Sequence, residues 1–172
     1  MCRFICSLSL AAILAASCGG TSTGPASGPN TAIGQTVQFA LPSDTGTLVA
    51  VPVSGARATI VEAFGPTCEP CSRKLPPLVL RRRALAENGV NLVLVAVLAD
   101  RESTQDASRA LADWGVASPF LVDRGDSVAK TLDIRALPGS VILDKEGKVR
   151  WAAGPATTVD DIVRMAEAVA GE

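Results

Sequence analysis

Hydrophobic and polar positions along this chain sort into strand-like and helix-like stretches that take turns. Ala58-Thr59-Ile60-Val61-Glu62-Ala63-Phe64 is a β-type run, and Asn91–Leu98 is apolar almost throughout, as in a strand buried on both faces. Between them, Ser72–Leu75, Leu78–Leu80 and Ala84–Ala86 are helix-compatible and predict one long helix. A second helix is predicted at about Thr104 to Trp114, stopped by Gly115. A short strand, Phe120–Val122, follows, and Asp126 then serves as N-cap of a helix over Ser127–Leu132. Val141–Asp144 and Lys148–Trp151, joined through Lys145-Glu146-Gly147, read as a β-hairpin. An amphipathic helix over Val159–Val169 closes the pattern, with Ile162, Val163, Met165, Ala166 and Val169 apolar. Strands alternating with helices, ending in a hairpin and a helix, predict an α/β domain whose central mixed sheet has helices on both faces.

The first residues break this pattern. Met1–Ser17 carries Arg3, an apolar core around Leu10–Leu14 too short to span a bilayer, and small residues before Cys18. This is the pattern of an export signal. Small residues immediately before a cysteine resemble the lipobox of bacterial lipoproteins, in which that cysteine is acylated and becomes the mature N-terminus. Ala15 stands where the lipobox usually has Leu, and cleavage nearby would give an ordinary secreted protein instead. Cys2 and Cys6 leave with the signal either way. Gly19–Asn30 is rich in Gly, Ser, Thr and Pro without charge, and reads as a flexible tether. The expected organisation is a signal over residues 1–17, an acylated Cys18 and linker over 18–34, and one domain over 35–172.

Composition changes the picture little. The chain is 48% hydrophobic with a formal net charge of −1. Loss of Arg3 with the signal leaves 15 basic and 17 acidic residues, and no nucleic-acid partner is implied.

The candidate chemistry lies in Phe64-Gly65-Pro66-Thr67-Cys68-Glu69-Pro70-Cys71, between the first predicted strand and the long helix. Two thiols separated by two residues at a helix start can close a small disulfide ring, and the helix dipole and free N–H groups there stabilise a thiolate. Zinc would need further Cys or His ligands. The chain has no histidine, and its other cysteines lie near the N-terminus. A c-type haem would need His where Ser72 stands. A purely structural bridge across two residues closes too short a loop to stabilise much. The pair reads as redox-active, and no cofactor is expected.

These residues resemble the thioredoxin superfamily, and within it the TlpA/ResA-like branch of membrane-anchored or periplasmic thiol-disulfide reductases. The likeness spans about Val37 to Ala170. It rests on Phe39-Ala40-Leu41-Pro42 leading to Gly46, on Cys68-Glu69-Pro70-Cys71 with Pro76 beyond it, on the segment Asp100–Val122, and on Ile134–Gly147 around Pro138. The resemblance implies a thioredoxin fold with an N-terminal β extension and a central insertion. It implies a cis peptide at Pro138, which would expose the Leu137 backbone to an extended substrate segment. Four positions depart from the family: Thr67 and Phe64 replace tryptophans, Lys74 stands where an acid is common in this branch, and Glu62 falls where classical thioredoxins place a buried acid.

Roles follow residue by residue. Cys68, nearer solvent, is the attacking thiolate, and Cys71 resolves the mixed disulfide. Pro70 stiffens the ring, and Glu69 raises the thiol pKa by like-charge repulsion. Glu62, if buried beneath the pair, takes the Cys71 proton. Arg81–Arg83 read as the solvated face of the long helix; with Arg73 and Lys74 they would otherwise form a docking patch for acidic partners. Trp114 and Trp151 read as packing residues. The partners implied are disulfide-containing exported proteins and a membrane thiol electron donor. A binding or chaperone-like module with an incidental disulfide is the alternative. A peroxiredoxin-like peroxidase fits less well, since Gly65 stands where its Thr would be.

Overall fold

Seven consecutive residues of the central strand, Ala58 to Phe64, are buried, which explains why that run has no polar face. The computed structural model describes residues 29–172. In chain order its elements are β1 (Phe39–Pro42), β2 (Leu48–Val51), β3 (Ala58–Phe64), α1 (Glu69–Leu80), α2 (Arg82–Glu87), β4 (Val90–Leu98), α3 (Thr104–Asp113), β5 (Leu121–Arg124), α4 (Ser127–Thr131), β6 (Gly139–Asp144), β7 (Val149–Ala153) and α5 (Val159–Ala170).

Five strands form a mixed sheet in the order β5-β4-β3-β6-β7. β3 pairs parallel with β4 and antiparallel with β6, setting Glu62 opposite Leu94 and Ser140. β1 and β2 form a separate antiparallel hairpin, the N-terminal β extension. Alternation along β3 divides the core in two. Ile60 and Phe64 pack with Leu75 and Leu78 of α1, Leu111 of α3 and Ile162 of α5. Val61 packs on the opposite face with Val128 of α4 and Leu41 and Val51 of the hairpin. The fold is α/β, with a five-stranded mixed sheet flanked by helices.

Three local expectations change. The long helix is two helices, α1 and α2, which part at Arg81, where the backbone tightens and the N–H donates to Leu78 O at 3.1 Å; Pro76 and Pro77 lie within α1. Arg81 and Arg83 are exposed and paired with Asp160 and Glu87. Arg82 instead turns inward and donates to Leu92 O, so the three arginines do not share one solvated face. Finally, Asp126 does not cap α4 with its side chain; it takes a left-handed conformation at φ 58°. The cap is buried Asp123 at the end of β5, whose Oδ1 accepts from Ser127 N and Oγ and whose Oδ2 accepts from Val128 N and Ala129 N.

Residues just upstream of β1 are fastened to the domain. Asn30 Nδ2 donates to Leu132 O at 2.8 Å, Thr31 N to Asp133 Oδ2 at 2.6 Å, and Gly34 N to Val149 O at 2.8 Å. Cys18, the expected signal and most of the expected linker lie outside the described residues. No helix among the described residues is long and apolar enough to cross a membrane.

Candidate active site

Cys68 is the N-cap of α1, with extended backbone, and Pro70 lies inside the first turn. Cys71 N donates to Cys68 O at 3.1 Å, closing that turn and bringing the two Cα atoms to 5.3 Å. The two cysteines form a disulfide. Cys68 is half-buried, whereas Cys71 has no exposed surface. A reagent arriving from solvent therefore meets Cys68 first. Glu69 is exposed and forms an ion pair with Arg73, one turn on.

The segment before β6 meets the disulfide from the other side. The Leu137–Pro138 peptide is cis, and Pro138 is buried. A Cβ added to Gly65 would lie 3.2 Å from Leu137 Cδ1 and 4.0 Å from Cys68 Cβ. Leu137 and Cys68 thus converge over the bare backbone of Gly65. Gly65 is a site residue that the sequence reading noted only as the absence of a Thr. The signal was present, because a glycine between a strand and a dithiol turn marks a close approach. Phe64, next to it, anchors the floor through edge-on contacts with Trp114 and Phe120, at 6.2 and 5.8 Å between ring centres.

Beneath α1 lies a buried charge pair. Glu62 projects from the same face of β3 as Ile60 and Phe64 and is 0% exposed. Its Oε1 is 3.5 Å from the Nζ of Lys74, which is 7% exposed. Neither carboxylate oxygen has a well-formed hydrogen bond. The Lys74 ammonium donates to Ser140 Oγ at 3.0 Å and to Gly154 O at 3.4 Å. Desolvation pushes the Glu62 carboxyl up from 4.5 to about 7, against the opposing pull of Lys74.

Lys74 is thus no part of a surface docking patch. It sits on the buried stripe Cys71–Leu75–Leu78 of α1, and helical spacing from Cys71 was the clue to it. Ser140 was missed as well, having no distinguishing motif beyond its place two residues after Pro138. Cys68, Cys71 and the Leu137–Pro138 segment come together beside Gly65, and Glu62 lies earlier on β3, paired with Lys74 of the helix that carries the dithiol. Among the described residues, no group of three His, Cys, Asp or Glu side chains is placed to hold a metal ion.

A mixed sheet, a dithiol pair at the first turn of a helix and a cis-proline segment facing it define a thioredoxin-fold domain. The chain belongs to the Redoxin family, whose model matches residues 33–168. It is similar to the thiol-disulfide oxidoreductase ResA of Geobacillus kaustophilus, at 25% identity over 113 residues, covering 66% of this chain and 63% of that protein. The chain therefore matches somewhat less than two thirds of that relative's length. Among solved structures, StoA of Bacillus subtilis superposes with a TM-score of 0.64 at 20% identity, covering 76% of this chain and 97% of StoA. The exposed lipoprotein thioredoxin Etrx1 of Streptococcus pneumoniae gives 0.64 at 18% identity, covering 77% and 99%. At these identities the structures speak for the fold alone.

Proposed function

We propose that this protein is a thiol-disulfide oxidoreductase that reduces disulfides of exported proteins through the Cys68–Cys71 couple. The observation that carries the reading is the asymmetry of the pair: a half-buried Cys68 at the helix start and a fully buried Cys71 one turn inside. In the dithiol form, Cys68 thiolate attacks a substrate disulfide, forming a Cys68–substrate disulfide and releasing one substrate thiolate. Glu62 then accepts the Cys71 proton. The Cys71 thiolate attacks Cys68 Sγ, the Cys68–Cys71 bond forms, and the second substrate sulfur departs with the electron pair and takes a proton from water. Two electrons pass to the substrate, and a dithiol donor at the membrane returns them. Leu137, beside cis-Pro138, offers its backbone to the substrate segment carrying the disulfide.

We place the protein in the cell envelope, facing the periplasm and held by lipid on Cys18, with residues 1–17 as signal, the segment after Cys18 as linker up to about residue 29, and the catalytic domain beginning at Asn30, where the chain is already hydrogen-bonded to it. The signal-like start and the small residues before Cys18 support this. A binding module with an incidental disulfide would leave the buried Glu62 without a task. The deciding experiment is trapping. A Cys71→Ala protein should accumulate mixed disulfides through Cys68 with exported proteins, and a Cys68→Ala protein should accumulate far fewer. Equal trapping by both, or by neither, would refute the assignment.

A further inference from the structure

Arg82 is half-buried without an acid to pair with. Its neighbours Arg81 and Arg83 are exposed and paired with Asp160 and Glu87, and half-buried Arg150 has both Asp144 and Glu172. Arg82 forms no ion pair among the described residues. Its Nη2 donates to Leu92 O at 3.2 Å, and its Nε is enclosed with no hydrogen-bond partner. Burial is the one influence that moves its pKa, which it lowers. A guanidinium stays charged in a protein, so Arg82 cannot escape the cost of burial by giving up its proton.

The same residue lines a cavity, which exists because one strand is short. β5 pairs with β4 only over Val95–Leu98, although β4 begins at Val90. The outer edge of β4 before Val95 therefore has no strand beside it, and a cavity of about 260 Å³ lies there against Asn91–Leu94. Val49 and Val53 wall it from the hairpin side, and Phe120 and Leu121 from the approach to β5. Apart from Arg82, Ser43 and Asn91, its lining is apolar. The cavity is remote from the dithiol: Leu92 pairs with Ile60, roughly 13 Å back along β3 from Phe64.

We propose that this cavity binds a small aliphatic carboxylate, its hydrocarbon chain against the apolar lining and its carboxylate on the Arg82 guanidinium. A carboxylate supplies the missing counter-charge, and the planar guanidinium offers N–H groups matched to its two oxygens. The pair forms where water is partly excluded, so it is stronger than an exposed ion pair. Cavity volume sets the ligand's size. An apolar space of about 150 Å³ accepts benzene. At about 30 Å³ per heavy atom, the share a water molecule takes in the liquid, 260 Å³ admits roughly nine. Hexanoate is of that size, whereas acetate leaves most of the space unfilled and a long-chain fatty acid exceeds it. Burial of the chain supplies affinity, and Arg82 supplies discrimination against a neutral molecule of the same shape. The site uses no part of the dithiol, so it stands or falls separately from the redox assignment.

The test titrates the purified, disulfide-bonded protein with hexanoate, hexanol and acetate at pH 7, following backbone amide signals by NMR. Hexanoate should bind with a dissociation constant of about 1 mM or tighter. The signals that move should belong to Arg82, Leu92, Val49 and Leu121. Hexanol, which lacks the charge, and acetate, which lacks the chain, should each bind at least roughly tenfold more weakly. Arg82→Met should weaken hexanoate by roughly tenfold or more and erase its advantage over hexanol. No hexanoate binding up to about 20 mM overturns the inference. So does equal binding of hexanol, an unchanged hexanoate affinity in Arg82→Met, or a set of shifted signals elsewhere in the fold. Should Arg82→Met fail to fold, Val49→Trp, at a half-exposed position, fills the cavity from the hairpin side. That variant should lose hexanoate binding, and wild-type affinity in it likewise overturns the site.

Discussion

Replacing Glu62 and Lys74 together, by Gln and Met, removes the buried pair without leaving either charge alone, and so isolates what Glu62 does to stability. In the folded protein the Glu62 carboxyl titrates at about 7, against an ordinary 4.5. Between these values the folded state holds a proton that the unfolded chain has lost. Stability from this group is therefore fully present below pH 4.5 and falls as pH rises toward 7. At about 1.4 kcal/mol per pH unit, the loss across that window is roughly 3 kcal/mol. That is a visible share of the 5–15 kcal/mol typical of a domain. The assay is urea unfolding of the disulfide-bonded protein at several values between pH 4.5 and 7.5, compared with the double variant. Asp106, Asp133 and Asp161 have lowered pKa values and lose their contributions as pH falls. They are common to both proteins and cancel in the difference. The wild type should lose roughly 3 kcal/mol relative to the variant on going from pH 4.5 to 7.5, with unchanged m-values. A flat difference, or one that grows with pH, would refute the burial argument for Glu62.

Asp123→Ala should destabilise the fold by about 2–3 kcal/mol, because four donors of α4 lose their charged acceptor. Asp126→Asn should stay within about 0.5 kcal/mol, and equal losses in urea midpoints would contradict the assignment of the cap. Gly65→Ala should cost about 1 kcal/mol or less, since Leu137 Cδ1 at 3.2 Å is the free end of a side chain; Gly65→Val should cost about 1–3 kcal/mol through overpacking, so a Val variant as stable as the Ala variant would show that Leu137 does not close over this position. Cys18→Ser should move the protein from membrane to soluble fractions, whereas a wild type already soluble with an unmodified N-terminus would remove the lipid anchor and leave the redox chemistry standing.

Periodicity carried most of the fold. The runs at Ala58–Phe64 and Asn91–Leu98 are strands buried over most of their length on both faces, and the amphipathic spacing after Val159 forms a helix over those same residues. Less legible were features that depend on which of two similar residues wins a contact. Asp123 and Asp126 both precede α4, and only the former reaches the N–H groups from the end of a strand. Lys74 is adjacent to Arg73 in sequence and looks like part of an exposed basic run. Helical geometry separates them by about 100° and turns Lys74 inward, toward Glu62, whose own strand offers no cation to pair with it. A buried acid in β3 implied a counter-charge nearby; only the fold says from which residue.

The central claim is that Cys68 and Cys71 form a reducing couple, and the midpoint potential tests it most directly. Oxidised protein is equilibrated in dithiothreitol or glutathione buffers of graded potential, and the free thiols are alkylated and counted by mass. One two-electron transition of a single intramolecular disulfide should be seen, nearer the thioredoxin value of about −270 mV than the oxidising value of about −120 mV. The chain has no histidine in the motif to stabilise the reduced thiolate strongly, and Glu69 lies between the thiols. The same protein should catalyse insulin reduction by dithiothreitol. A midpoint at the oxidising end would contradict the reductase assignment and favour a disulfide-forming role.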